Sequence, residues 1–152
     1  MPTIVETQDV IEPLAPEWDD LADRVGAEPF LRPGWIGAWW RAFGRGRLEV
    51  VSLRRDGRLA GVLPTYRRRG VTASTTNWHT PLFEPLVEDP DATEELMRAL
   101  FSLRARRLSL GWLSSNGSAL SACRETALAA GYRSLEREVA RSPFISIDGD
   151  WR

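Results

Sequence analysis

The chain contains no lysine: all twenty of its basic side chains are arginine. That absence excludes Schiff-base lysine chemistry and a phosphate-loop lysine. One cysteine, Cys123, leaves nothing to close an internal disulfide, which fits a reducing, cytoplasmic setting. Cys123 falls on the apolar face of an expected helix, with no cationic neighbour or helix N-terminus to activate it, and reads as a buried, inert thiol. The single histidine, His79, has no carboxylate or cysteine cluster around it in the sequence and is no metal site. No apolar run reaches the ~18 residues of a membrane span, so none is expected. The N-terminus MPTIVETQDV has neither the basic region nor the apolar core of a secretory signal. Nothing resembles G-x-S-x-G, a pair of catalytic carboxylates or a zinc-ligand spacing.

What is present is a chain of 152 residues, 43% apolar and 27% charged, the size and composition of one soluble domain with a real core. The formal charge of −1 argues against a global pull toward nucleic acid or anionic membrane, so no nucleic-acid partner is expected. Charge is nevertheless segregated. Residues 1–28 carry Glu6, Asp9, Glu12, Glu17, Asp19, Asp20, Asp23 and Glu28 against Arg24 alone, whereas residues 41–69 carry nine arginines against Glu49 and Asp56. Such blocks solvate surfaces or pair with each other in the fold. The alternative is an anionic-polymer groove over 41–69, which salt-sensitive binding to nucleic acid or acidic polysaccharide would test.

Two apolar runs, Leu48–Leu53 and Leu59–Leu63, flank Asp56-Gly57, a dipeptide suited to the two positive φ values of a type I′ turn. Both faces of each run are apolar, which places the hairpin in the middle of a sheet, and Pro64 is expected to close its second strand. Before it, Glu6–Ile11 reads as a short strand. A helix follows from Pro16 to Gly26 with Trp18, Leu21 and Val25 at helical spacing. A second runs from Pro33 to Gly44 with Ile36, Trp39, Trp40 and Phe43 as its stripe. That aromatic stripe suits core packing first and a stacking platform second. After the hairpin come a strand region over Val71–Thr76 and Leu82–Val87, and a helix opened by Asp91 and Glu94 with Leu96, Leu100 and Leu103 inward. Arg107–Leu113 alternates as a strand. A helix striped by Leu120, Cys123, Ala127 and Ala130 ends at Gly131, and Tyr132–Ala140 and Pro143–Ile147 are the last two strands. Ser114-Ser115-Asn116-Gly117-Ser118 reads as a capping loop. The order is β-α-α-β-β-β-α-β-α-β-β, an α/β (α+β) fold with a mixed central sheet flanked by helices.

This order resembles the GNAT acetyltransferase fold, with two helices after the first strand and a hairpin next. The phrases agree: Arg55-Asp56-Gly57-Arg58-Leu59-Ala60-Gly61-Val62-Leu63-Pro64 is similar to the family's second and third strands, and Ala130-Gly131-Tyr132 to its fourth-helix exit. More narrowly, the chain resembles the N-terminal half of cellulose-biosynthesis-type, Fem-like proteins that join two GNAT-like units. The phrases that carry this are Pro29-Phe30-Leu31-Arg32-Pro33-Gly34-Trp35, Asn77-Trp78-His79-Thr80, and Ser142-Pro143-Phe144-Ile145 leading to Gly149-Asp150-Trp151. The resemblance spans most of residues 1–152 and implies one GNAT-like domain, the N-terminal unit of a longer protein. The terminal Trp151-Arg152 suggests a continuing sequence.

The resemblance also implies two departures. The family binds the acetyl-CoA pyrophosphate on backbone N–H groups at the third helix's N-terminus, through Arg/Gln-x-x-Gly-x-Gly/Ala. Glu88-Asp89-Pro90-Asp91-Ala92-Thr93-Glu94-Glu95 has no glycine there, one donor removed by Pro90, and five carboxylates. Acetyl-CoA is thus expected for a full-length enzyme and not for this chain alone. The family's acidic tyrosine, four residues before the helix-ending glycine, falls on Ala127, which has no proton to give; Tyr132 lies after the glycine and is expected to pack in the sheet. No catalytic residue is therefore assigned. His79 suits a structural hydrogen bond in its loop better than a general base, and with Asn77 and Trp78 it makes the candidate substrate-binding group. Two functions follow. One is the non-catalytic half of an N-acetyltransferase acting on a sugar-like or cell-envelope acceptor, partnered by a C-terminal GNAT unit. The other is a binding module that docks on a partner acyltransferase; a continuation bearing the glycine signature separates them.

Overall fold

A computed structural model of the chain describes residues 3–143 together with Ser146 and Gly149. Six strands form one mixed sheet, β1 (Thr3–Gln8), β2 (Arg47–Arg55), β3 (Arg58–Arg68), β4 (Val71–Ser74), β5 (Leu86–Val87) and β6 (Arg107–Ser109), in the order β1-β2-β3-β4-β6 with β5 beside β3. Every pair is antiparallel except β4 with β6. Helices α1 (Ala15–Val25) and α2 (Pro33–Phe43) cover one face, and α3 (Pro90–Ser102) and α4 (Ser118–Ala129) the other. None of the described helices is long and apolar enough to cross a membrane.

The β2–β3 hairpin is central, as its two-sided apolarity implies, and Asp56 and Gly57 take φ of 52° and 78° at its turn. Leu48, Val50, Leu59 and Val62 pack on Trp18, Leu21 and Ile36, while Val51, Leu53 and Leu63 pack on Leu96, Met97 and Leu100. Strict alternation cannot put Leu59 and Val62 on one face. A bulge resolves this: Leu53 pairs with Gly61 and Arg54 with Leu59, leaving Ala60 as the extra residue. The buried Trp18 indole N–H donates to the Leu31 carbonyl (2.8 Å), whereas the buried Trp39 indole N–H has no partner among the described residues.

Glu49 is the one charged residue among the described residues that is buried outright. Its carboxylate lies 3.3 Å from Arg67 Nε and accepts the Thr72 hydroxyl (3.2 Å), joining β2, β3 and β4. Arg67 also donates to the Leu103 carbonyl (3.2 Å), fastening the C-terminal end of α3 to the sheet, where the helix dipole favours a cation.

Several boundaries differ from the sequence reading. The first strand is Thr3–Gln8 rather than Glu6–Ile11, because Ile11 and Leu14 turn inward beneath α1 and join the core. Pro64 does not close β3, which runs on to Arg68. It sits opposite Val50, and on its other side the strand has no partner between Val62 (with β5) and Thr65 (with β4). A residue without an N–H is tolerated where the ladder is interrupted. The region from Val71 to Val87 is two short strands, split by an excursion over 75–85. The cap of α3 is Asp89, not Asp91, with Pro90 opening the helix. Arg107–Leu113 is a strand only to Ser109, since Trp112 takes φ of 65°. Tyr132–Ala140 forms no strand. Tyr132 is held by its hydroxyl donating to the Ala105 carbonyl (2.6 Å), Glu136 pairs with Arg124 of α4 and Glu138 with Arg141, so local ion pairs replace a ladder. Of the expected strand Pro143–Ile147, Pro143 and Ser146 are not extended in a sheet, and the other three residues lie outside the described residues.

Helix α3 approaches the sheet at Gly61, where a Cβ would meet Leu96 Cδ1 at 2.9 Å. Gly61→Ala is expected to cost about 1–3 kcal/mol by overpacking, and Leu96→Ala about 2–5 kcal/mol by cavity formation. In the double variant the new methyl occupies the vacated space. Urea unfolding should therefore show a double loss smaller than the sum of the two single losses by at least ~0.5 kcal/mol.

Candidate functional site

The excursion between β4 and β5 carries the three residues singled out as a substrate group. It leaves β4 through Ser74, whose Oγ accepts the Gly111 N–H (3.0 Å), and the Thr75 hydroxyl donates to the Pro64 carbonyl (3.2 Å) in the gap of the β3 ladder. Asn77 then makes a side-chain turn. Its Oδ1 accepts the His79 N–H (2.9 Å) while its carbonyl accepts the Thr80 N–H (3.0 Å). The turn throws Trp78 and His79 outward and buries Thr80, which accepts the Trp35 indole N–H (2.9 Å).

The two exposed rings have different supports. The His79 imidazole stacks on Phe43, centroids 5.5 Å apart and planes 7° from parallel, and Phe43 is itself 44% exposed. Trp78, 77% exposed, meets Trp112 edge-on at 4.9 Å. Trp112 holds this position in the left-handed region, a costly conformation for a bulky residue. Asn77 is thus a turn-former whose oxygen is already engaged, and Trp78 and His79 are the surface groups. Trp35, Phe43 and Trp112 complete the aromatic surface and were not singled out in the sequence. Phe43 lay on the stripe read as core first and stacking platform second, of which Ile36 and Trp39 are buried while Phe43 emerges at the helix end. Among the described residues no group of histidine, cysteine and carboxylates could hold a metal.

At the start of α3, the Asp89 carboxylate accepts the Ala92 N–H (2.9 Å) and pairs with Arg55. The backbone N–H, and next the Arg55 guanidinium, hold Asp89 below the usual aspartate range. Arg55 also pairs with Glu95 (2.6 Å), and Glu88 lies 3.4 Å from Arg58 and 3.7 Å from Arg24. The helix's own carboxylate therefore takes the first-turn donor that a phosphate would use, and the arginines at hand are engaged by acids. These residues do not fit a pyrophosphate.

The position four before Gly131, Ala127, is buried. Tyr132 commits its hydroxyl proton to Ala105, away from the aromatic surface. Beyond β6, a cavity of about 540 Å³ is lined by Leu108, Leu110, Leu113, Leu120 and Cys123. Burial, with the Glu136 charge second, pushes the Cys123 thiol up, as suits an inert thiol.

No protein-family model and no curated protein sequence matches the chain. Solved structures are similar to it across nearly the whole length of both partners. An aminoglycoside N-acetyltransferase, AAC(6')-Iy, in complex with a bisubstrate analogue, CoA-S-monomethyl-acetylneamine, superposes with a TM-score of 0.50 at 12% identity, covering 95% of this chain and 100% of that one. The same enzyme in complex with CoA gives 0.48 at 13% identity over 94% and 97%, and a probable acetyltransferase gives 0.48 at 14% over 97% and 100%. At these identities the likeness is one of fold: a mixed sheet flanked by helices, the GNAT acetyltransferase-like architecture, is the fold of this chain.

Proposed function

We propose that the chain is the N-terminal GNAT-like half of an acyl-CoA-dependent N-acetyltransferase that works on a sugar-like or cell-envelope acceptor in the cytoplasm. In this reading the chain shapes the acceptor surface, and a C-terminal GNAT unit holds acetyl-CoA and the catalytic groups. The observation that carries it is the α3 N-terminus, where Asp89 occupies the Ala92 N–H and residues 88–95 carry five carboxylates and no glycine. The fold is that of an aminoglycoside acetyltransferase, which makes an amino-sugar a reasonable acceptor class. Trp78 offers an exposed ring face for such a ligand, and His79 on Phe43 offers a second. The open cavity beside β6, lined by leucines and by Arg106, Arg107, Arg124 and Glu136, favours a second reading, a module that docks on a partner acyltransferase without turnover. A C-terminal continuation carrying Arg/Gln-x-x-Gly-x-Gly/Ala supports the first reading, and its absence from the full gene supports the second.

Calorimetry of this chain with acetyl-CoA is expected to show no saturable binding at micromolar ligand; a saturable micromolar isotherm would sink the proposal. With a neamine-type aminoglycoside as probe, Trp78→Ala should weaken binding about threefold to tenfold, the equivalent of one lost aromatic contact of ~0.5–1.5 kcal/mol. Its unfolding free energy should fall by no more than the ~0.5–1.5 kcal/mol of the lost edge-on contact with Trp112.

Asp89→Ala is expected to cost about 1 kcal/mol at pH 7 through loss of the cap. The Asp89 pKa is depressed in the folded state, so its contribution is complete above the unfolded aspartate value of about 3.9 and fades as pH falls below it. Denaturation midpoints of parent and variant should therefore draw together as the pH falls below about 4, where the depressed carboxylate begins to protonate. A gap that stays constant down to pH 2 would contradict the capping role.

A further inference from the structure

The end of the sheet opposite the β2–β3 turn gathers arginines that neither the fold nor the proposed acyl transfer uses. Three turns meet there: 44–46 between α2 and β2, Arg69-Gly70 between β3 and β4, and 103–106 between α3 and β6. A Cβ on Gly46 would collide with the Arg67 carbonyl at 2.3 Å, and one on Gly70 would lie 3.8 Å from Arg106 Cβ, so the turns abut. They expose Arg45, Arg68, Arg69, Arg104, Arg106 and Arg107, and none of these has a carboxylate within 4.0 Å among the described residues.

Stabilising the fold does not account for this charge. The α2 and α3 C-termini at this end supply about −0.5 elementary charge each, and Glu49 is already matched by Arg67. Six cations remain against about one unit of negative charge. Two of them also sit where arginine is disfavoured: Arg69 and Arg104 both take φ of 50°, a left-handed conformation that asparagine or glycine fills more cheaply. The acids that bring the net charge to −1 do not cancel the cluster. Those around Arg55 and Arg58 lie the length of β3 away, about 34 Å for its eleven residues, against a screening length of about 10 Å at 0.1 M salt.

We propose that this end of the sheet is a binding surface for a linear phosphodiester, a single strand of nucleic acid held without regard to sequence. The ends of β2, β3, β4 and β6 stand in a row about 14 Å long, three strand spacings. A row suits a linear polyanion better than a single anion or a planar membrane. Guanidinium groups only donate, and the six side chains include no acceptor. Phosphate oxygens only accept, and their geometry suits the paired N–H groups of a guanidinium. Because the acidic and basic poles lie apart, a net charge of −1 does not keep a polyanion from this end. The surface is independent of the acyltransferase reading, and its test involves no acyl donor.

A row of 14 Å faces about four phosphates, so a labelled 12-nucleotide single-stranded DNA should bind with a log K against log salt slope near −3, losing roughly 50-fold between 50 and 200 mM. Arg69→Asn with Arg104→Asn removes two cations while relieving two strained turns. It should keep or raise the thermal midpoint, reduce the slope by about 1.4 and weaken binding about 20-fold at 0.1 M salt. Arg45→Gln with Arg68→Gln, at ordinary backbone angles, should weaken binding similarly. No measurable binding at 50 mM salt, or an unchanged slope in both double variants, would refute the surface. Equal or tighter binding of a polyuronate of matched charge, or of anionic vesicles, would refute the phosphodiester assignment.

Discussion

Everything else in this fold hangs on the pairing of β2 with β3. The two strands supply both cores at once, Val50 and Val62 to the α1–α2 side and Val51 and Leu63 to the α3–α4 side, all with no accessible surface. A strand pair buried on both faces cannot slip without exposing one core and overfilling the other, so its register is fixed by burial as well as by the turn. The bulge at Ala60 is the necessary adjustment. It brings Leu59 and Val62 to one face and leaves Gly61 opposite Leu96, so α3 can sit close to the sheet. One extra residue thus sets the phase of the strand and the approach of a helix.

Charge is organised along the same axis. Near the hairpin turn, Arg54 joins β2 to Glu17 of α1 (2.9 Å) and to Glu6 of β1, while Arg55 joins the hairpin to Asp89 and Glu95 of α3. Here the acidic and basic blocks neutralise each other, as their segregation in the sequence allows. At the far end Arg45, Arg68, Arg69, Arg104, Arg106 and Arg107 have no such counterparts among the described residues. Individual exposed pairs contribute little, with medians of about 0–1 kcal/mol, so the pattern matters more for the surface it leaves than for the stability it adds. Glu49 differs because it is buried: its carboxylate relies on Arg67 (3.3 Å), the Thr72 hydroxyl (3.2 Å) and the more distant Arg47 (3.9 Å) for its compensation.

The hairpin, four helices and mixed sheet were legible because each announces itself locally: Asp56-Gly57 by its φ demands, α1 and α2 by proline starts and apolar stripes, α4 by its exit at Gly131. Features set by distant contacts were not. No local signal marks Ala60 as the extra residue, since Leu59–Leu63 is apolar throughout. The alternation of Arg107–Leu113 suggested a long strand, but the backbone turns at Trp112 to meet Trp78, a residue 34 positions earlier. Tyr132–Ala140 was also read as a strand, yet Glu136 finds Arg124 on α4 and the segment follows that ion pair. At the aromatic surface Trp78 and His79 were visible as an unusual loop phrase. Phe43 was not, because helical spacing alone cannot distinguish the last inward residue of a stripe from the first that escapes the core.

Pro64 links the sheet to that surface. On the edge of β3 facing β4 and β5, the ladder is complete up to Val62 and resumes at Thr65. Had β4 continued past Ser74 it would have run along Leu63 and Pro64 into the place β5 occupies, meeting a residue that cannot donate. The chain leaves the sheet at this point instead and returns eleven residues later, at Leu86. The Thr75 hydroxyl donates to the buried Pro64 carbonyl, so the interruption leaves that acceptor satisfied. The excursion can then spend its length on Asn77, Trp78, His79 and Thr80, anchored at Trp35 and Phe43 of α2. A proline read as a strand terminator is in effect the terminator of its neighbour, and the aromatic surface stands where the interrupted strand would have continued.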